Sequence, residues 1–172
     1  ETTTQTLQAP LVVNAAGTWG GEIAALAGVN VPILPRRGFI LVTEPLPVMV
    51  NRKVYSAEYV ANVASDDAAL QTAAVVEGTH SGTILIGASR ERVGFDRTLD
   101  WTVVQRLAQQ ALQLFPRLAQ ASLLRTYGGF RPYCPDHLPV IGPDARVPGL
   151  MHACGHEGAG VGLSAATGFL IA

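Results

Sequence analysis

The chain has 172 residues, 48% of them apolar and 15% charged, with a formal net charge of −1. Such a composition is globular, and with no cluster of Lys or Arg beyond a pair it gives no electrostatic basis for binding nucleic acid or a membrane surface. Two cysteines are too few for a disulfide framework, no apolar run reaches the ~18 residues of a membrane span, and nothing resembles a signal peptide. Small molecules or other proteins, met in a reducing cytoplasm, are the expected partners. Both ends read as cut. Glu1 is not an initiator methionine, and residues 168–172 continue an apolar helical pattern without a capping signal, so a longer parent protein is expected.

Residues 9–17 (APLVVNAAG) contain an apolar run suited to a buried strand, which ends in small residues where backbone can approach a ligand closely. Thr18 is placed to cap a following helix, with Trp19, Ile23, Leu26 and Ala27 on one face and Gly28 as its stop. From Pro32 the pattern changes. Residues 38–44 (GFILVTE) read as a strand, and so do 53–63, where Val54, Ser56, Glu58 and Val60 alternate with Tyr55, Ala57, Tyr59 and Ala61. Antiparallel pairing is expected. Residues 71–78 are ambiguous between helix and strand, but THSG at 79–82 is a turn signature and TILIGA at 83–88 a strand, which favours a hairpin. Asp100 can cap a helix running to Leu114, with Val104, Leu107, Ala111 and Leu114 at helical spacing and Pro116 ending it, and that helix should cover one sheet face. Residues 123–128 and 149–153 read as further strands, the second leading into a glycine-rich stretch and a final helix.

That stretch, MHACGHEGAGVGL at 151–163, allows three readings. His152, Cys154 and His156 alternate, so on an extended strand they point to one side, and with Glu157 they could ligate zinc. The spacing is not a common zinc pattern, since structural sites draw on two separated pairs; Cys134 has no preceding partner, although His137 follows it three residues later. Alternatively, Gly155, Gly158, Gly160 and Gly162 lie between a strand and an apolar helix, where open N–H groups at the positive end of a helix dipole favour a phosphate or another negatively charged group. The third reading is close packing. Gly158, Gly162 and Ala166, or Gly160, Ser164 and Gly168, recur at i, i+4 and would let another backbone approach; glycine spacing alone does not decide between cradle and packing.

Five stretches carry a resemblance: residues 12–28 (VVNAAGTWGGEIAALAG), 36–47 (RRGFILVTEPLP), 82–97 (GTILIGASRERVGFDR), 128–143 (GGFRPYCPDHLPVIGP) and 149–168 (GLMHACGHEGAGVGLSAATG). In this order they resemble the D-amino acid oxidase superfamily of flavoproteins, and within it the group of glycine oxidase, sarcosine oxidase beta subunit and hydrogen cyanide synthase. The resemblance implies FAD on a Rossmann-like domain and oxidation of the carbon–nitrogen bond of an amino acid or amine, with a hydride passing to flavin N5. The G-x-G-x-x-G turn of that family, and the acidic residue about 20 positions beyond it, are not in this chain. Tight FAD binding is therefore expected of the intact parent rather than of this chain alone.

Carried onto this sequence, the resemblance gives Ala15, Ala16 and Gly17 as the small-residue turn against the dinucleotide, with a plain strand-to-helix turn as the alternative. Arg131 matches the arginine that grips a substrate carboxylate, for which a planar, bidentate guanidinium is suited; the alternative is a surface arginine paired with Asp136. Gly155, His156, Gly158, Gly160 and Gly162 match the loop beside the flavin pyrimidine edge, where a helix N-terminus stabilises the negative charge that develops at N1 and the C2 carbonyl. Gly87 and Ser89 resemble a strand end facing the flavin ring, with sheet packing as the alternative. Tyr55, Tyr59 and His80 are candidates for a substrate cavity through their place on the expected sheet. No catalytic acid or base, metal ligand or covalent flavin attachment at Cys154 is inferred.

The expected architecture is α+β. A mostly antiparallel substrate-binding domain at 35–125 carries covering helices, and incomplete pieces of a Rossmann-like FAD domain lie at 1–34 and 126–172. The expected activity is that of an amino acid or amine oxidase or dehydrogenase, passing electrons to oxygen or to a partner subunit. A homodimer is a further expected assembly. Two rivals are a non-catalytic interaction or dimerisation module and a metal-binding redox protein.

Overall fold

In the computed structural model, which describes residues 4–172, the elements run in chain order as follows. They are β1 (Val12–Asn14), α1 (Gly20–Leu26), β2 (Leu34–Thr43), β3 (Val54–Tyr55), α2 (Ala57–Val63), β4 (Gln71–Gly78), β5 (Ile84–Arg90), α3 (Trp101–Leu114), β6 (Leu123–Tyr133), β7 (Val140–Pro143), β8 (Leu150–Cys154) and α4 (Gly160–Ile171). Short 3-10 turns lie at Gly17–Trp19 and Pro116–Gln120. The reading made at Glu1 lies outside the described residues. Two sheets with interspersed helices bear out the α+β expectation. The chain divides into two units, Arg36–Phe130 and the paired segments Glu1–Pro35 with Arg131–Ala172. No helix among the described residues is long and apolar enough to cross a membrane.

Within Arg36–Phe130 the sheet order is β3-β4-β5-β2-β6, and the neighbours β3/β4, β4/β5 and β5/β2 are antiparallel. The ambiguous segment at 71–78 is β4, and it forms the expected hairpin with β5. Thr79 N–H donates to Thr83 C=O at 2.9 Å and closes the turn. Helix α3 starts where the sequence indicates, with the Asp100 carboxylate accepting from Thr102 N–H at 2.8 Å. Its apolar stripe places Val104, Leu107 and Ala111 in a core with Phe39, Leu41 and Val76; Leu114, the last of the stripe, stays at the rim, 38% exposed. Burying a side chain such as Leu107 contributes about 1.5–3 kcal/mol.

The expected strand at 53–63 is a two-residue strand followed by a helix. Ser56 is extended (φ −73°, ψ 158°), and Tyr59 N–H donates to Ser56 C=O at 3.0 Å, which starts α2. Large and small residues alternate here over too short a run to separate the two periods. Tyr55 at the end of β3 and Tyr59 in α2 meet with their rings tilted by 48° and centroids 5.3 Å apart instead of pointing along one strand face.

In the other unit the sheet order is β1-β8-β7, with β1 parallel to β8 (Asn14 opposite His152) and β7 antiparallel to it (Val140 opposite Cys154). Strand β7 has no clear sequence signal, because its Gly and Pro argue against a strand. Helix α1 corrects two expectations. Thr18 provides no side-chain cap, since a 3-10 turn runs directly into the helix, and Thr18 is buried. The buried face is Gly20 and Ala24, whereas Trp19, Ile23 and Leu26 are 43%, 39% and 84% exposed. The helix approaches its neighbours too closely for larger residues, because a Cβ on Gly20 would lie 2.9 Å from Ile33 Cδ1 and 3.0 Å from Cys154 Sγ. Its end is as expected. Gly28 is left-handed (φ +76°), its N–H donates to Ala25 C=O at 2.9 Å, and Val29 N–H donates to Ala24 C=O at 3.2 Å, a Schellman ending.

Candidate functional site

Strand β8 delivers the chain into the glycine-rich loop, and α4 begins five residues beyond Gly155. The N-cap is Ala159, which offers no side-chain acceptor. The first-turn N–H groups of Gly160, Val161 and Gly162 therefore lack both an intrahelical partner and a cap, and they stand at the positive end of the helix. A Cβ placed on Gly158 or Gly162 would meet nothing within 4 Å, so this face is open.

Beside it lies a groove of about 400 Å³, lined by Val13 and Ala15 from the β1 side, Ala153 and His156 from the β8 side, and Gly160, Ser164, Thr167, Gly168 and Ile171 from α4. Of the expected cofactor residues, the structure thus brings Ala15, His156 and Gly160 together. Ala16 and Gly17 are half-buried in the turn that follows, with Gly17 left-handed at φ +56°. The His156 ring is held along α4 by a 2.8 Å hydrogen bond between Nε2 and Thr167 Oγ1. Gly160, Ser164 and Gly168 are the stripe that the sequence offered as a packing face, whereas Thr167 and Ile171 carried no sequence signal, because which face of a largely apolar helix lines a groove depends on its neighbours.

The alternating His152, Cys154 and His156 do not converge. His152 and Cys154 share the buried side of β8, as alternation requires, but the strand ends at Cys154 and His156 leaves that register. Cys154 belongs to an apolar cluster with Ala24, Ile33 and Cys134. Both cysteines are free, and burial pushes both thiols up to about 11, leaving them neutral. Among the described residues no group of three or more His, Cys, Asp or Glu could hold a metal ion.

His152 instead takes part in a buried relay. Asn14 Nδ2 donates to Gly20 C=O at 2.8 Å and lies 3.2 Å from His152 Nδ1, and His152 Nε2 lies 3.0 Å from Asp144 Oδ2. Asp144 is gripped by Arg146 through two contacts of 2.9 and 2.7 Å, and Arg146 reaches on to Asn30 C=O at 3.1 Å. The Arg146 side chain, its backbone N–H and then His152 hold the Asp144 carboxyl well below the usual carboxylate range. The relay ties the end of β1, which carries the Ala15–Ala16–Gly17 turn, to β8, which carries the glycine-rich loop. The one sequence signal for it was a polar Asn inside the apolar run of residues 11–16, a residue that burial obliges to find partners.

Arg131 is half-buried near the end of β6, in the same unit as the groove. Asp136, its alternative partner, accepts from Leu138 N–H at 3.0 Å. Tyr55, Tyr59, His80, Gly87 and Ser89 fall in the other unit. There Tyr59 carries the guanidinium of Arg90 over its ring at 5.0 Å. His80 is exposed and lines a pocket of about 500 Å³ with Val48, Asn51 and Glu77. Ser89 is fully buried, and its hydroxyl accepts from Phe39 N–H at 2.9 Å, joining β5 to β2. Gly87 packs beneath Ile40, whose Cδ1 would lie 2.8 Å from an added Cβ.

The family profile described as FAD dependent oxidoreductase matches residues 1–172. Hydrogen cyanide synthase subunit HcnC of Pseudomonas aeruginosa is 36% identical over 161 residues, which cover 93% of this chain and 35% of that protein. Glycine oxidase of Geobacillus kaustophilus is 29% identical over 173 residues, covering 100% of this chain and 42% of that protein. The crystal structure of glycine oxidase from Geobacillus kaustophilus superposes with a TM-score of 0.83 at 27% identity, covering 98% of this chain and 42% of that one. The chain thus spans well under half the length of the relatives it matches. It belongs to the FAD dependent oxidoreductase family.

Proposed function

We propose that this chain is the C-terminal part of an FAD-dependent enzyme that oxidises the carbon–nitrogen bond of an amino acid or amine. The observation that carries the reading is the groove. Small and apolar walls from Val13, Ala15 and Ala153 lie beside an uncapped helix N-terminus. These residues fit a flavin, which combines a flat apolar ring with an electron-rich edge. When bound, FAD supplies the hydride acceptor at N5.

The residues of this chain bind and orient. The amides of Gly160, Val161 and Gly162 hold negative charge at the mouth of the groove, and His156, fixed by Thr167, walls one side. Arg131 grips the carboxylate of an amino acid substrate bidentately and so orients the carbon that is to be oxidised. The segments around β1 and α4 serve as parts of a Rossmann-like flavin domain, and the unit Arg36–Phe130 serves as the substrate domain, with Tyr55 and Tyr59 on its substrate side. Exposed Val12 on β1, and Val161 and Phe169 on α4, the last two 92% and 85% exposed, suit burial beneath the remainder of that flavin domain. Electrons then leave for oxygen or for a partner subunit, the latter favoured because the relative HcnC is itself a subunit.

The test is anaerobic mixing of the FAD-loaded full-length protein with small amino acids and amines while the flavin absorbance is followed. Bleaching by at least one amino acid is expected. Arg131→Met should raise the concentration needed for half-maximal reduction about 10–100-fold, as loss of a charge-assisted pair implies. A flavin that no amine or amino acid bleaches would overturn the reading.

A further inference from the structure

His137 and Glu157 are the non-glycine residues whose backbone is left-handed among the described residues, at φ 58° and 48°. Side chains make that conformation unfavourable, glycine adopts it freely, and non-glycine residues keep it only where surrounding contacts hold them there. These two hold each other. Nδ1 of His137 and Oε1 of Glu157 are 2.7 Å apart, and the side chains are 30% and 16% exposed. Strain at two positions twenty residues apart, joined by one short polar contact, points to a built feature rather than to two unrelated turns.

The surrounding backbone repeats the connection. Glu157 N–H donates to Pro132 C=O at 3.2 Å, and His137 N–H donates to Cys134 C=O at 2.9 Å. Gly155, itself left-handed at φ +79°, sits so close to the turn after β6 that an added Cβ would lie 3.3 Å from Cys134 Sγ and 3.6 Å from Pro139 Cα. The Tyr133 ring packs edge-on against the His137 imidazole at 5.5 Å. Glu157 stands two residues before Ala159, the N-cap of α4, so a shift of Glu157 moves the first amides of that helix. Pro132, which receives the Glu157 N–H, directly follows Arg131.

We propose that His137 and Glu157 are positioning residues: their side-chain clasp fixes the glycine-rich loop, and with it the open N-terminus of α4, against the end of the strand that carries Arg131. The inference deepens the proposed function, and rests on it for the identity of the ligand. The clasp would join the segment that grips substrate to the segment that faces the cofactor. It also directs an acidic side chain to the imidazole, and so away from the amides that a negatively charged ligand edge uses.

The test uses His137→Gly and Glu157→Gly, which remove the clasp while favouring the left-handed backbone, so that the fold is retained. In the full-length protein each should weaken FAD binding about tenfold by fluorescence titration, and the double variant should be no weaker than either alone, as residues acting through one contact require. Glu157→Gln keeps an acceptor for the imidazole and should stay near wild type. Amide hydrogen exchange across residues 155–162 should quicken in all the glycine variants. Unchanged FAD affinity with unchanged exchange, or losses that multiply in the double variant, would overturn the clasp. A wild-type protein that binds no FAD defeats the proposed function instead, and the exchange measurement then decides the clasp alone.

Discussion

Nε2 of His152 lies 3.0 Å from Oδ2 of Asp144, with both side chains 3% exposed. Asn14 Nδ2 spends one hydrogen on Gly20 C=O and directs the other at His152 Nδ1. Nδ1 is then the acceptor and Nε2–H the donor to Asp144, which assigns the neutral tautomer from the network.

A carboxyl whose folded pKa is depressed contributes stability that is present above its unfolded pKa, near ~3.9, and is lost as pH falls through the lower folded value. Asp144 is such a group, chiefly because of Arg146. Asp144→Asn should lower stability at neutral pH and flatten its dependence below about pH 4. Urea melts of both proteins between pH 2 and 7 measure this; parallel pH profiles would show that Asp144 carries no such linkage.

Thiols pushed up to about 11 are almost wholly protonated at pH 8, and Cys134 and Cys154 are each 1% exposed. A thiol reagent should modify neither in the native protein and both after unfolding. Rapid native labelling of either, read by intact mass, would contradict the burial described above.

Arg37 joins β2 to the far end of the hairpin by meeting Glu91 at 2.8 Å and Asp96 at 2.7 Å, and it also donates to Thr98 C=O at 3.1 Å. With Arg37 and Glu91 side chains 7% and 10% exposed, removing Glu91 leaves buried guanidinium N–H groups without their acceptor, while Asp96 still pairs with the other side of the group. Glu91→Ala should cost roughly 1–3 kcal/mol in chemical denaturation, and adding Arg37→Met should recover part of that loss. A loss within experimental error for Glu91→Ala would place the stabilisation elsewhere.

Elements whose signals are local were legible in the sequence. Asp100, the apolar stripe through Leu107 and Pro116 mark the start, face and end of α3; the THSG turn marks the hairpin; Gly28 marks the end of α1. The face of α1 was not legible, because it depends on how closely Gly20 approaches Ile33 and Cys154, which are distant in sequence. The same holds for the relay, since Asn14, Asp144 and His152 meet only once β1 pairs with β8. The glycine-rich loop stood out from its place between strand and helix, although glycine spacing alone left cradle and packing undecided. The clasp could not, because neither His137 nor Glu157 announces a left-handed backbone. Residues 53–63 were misread where both periods fit so short a run.

The most direct measurement is the crystal structure of the full-length protein with FAD bound. The N1 and C2 carbonyl edge of the flavin should lie within about 3.2 Å of at least one amide nitrogen among Gly160, Val161 and Gly162. A ring seated beyond hydrogen-bonding reach of all three would contradict the account.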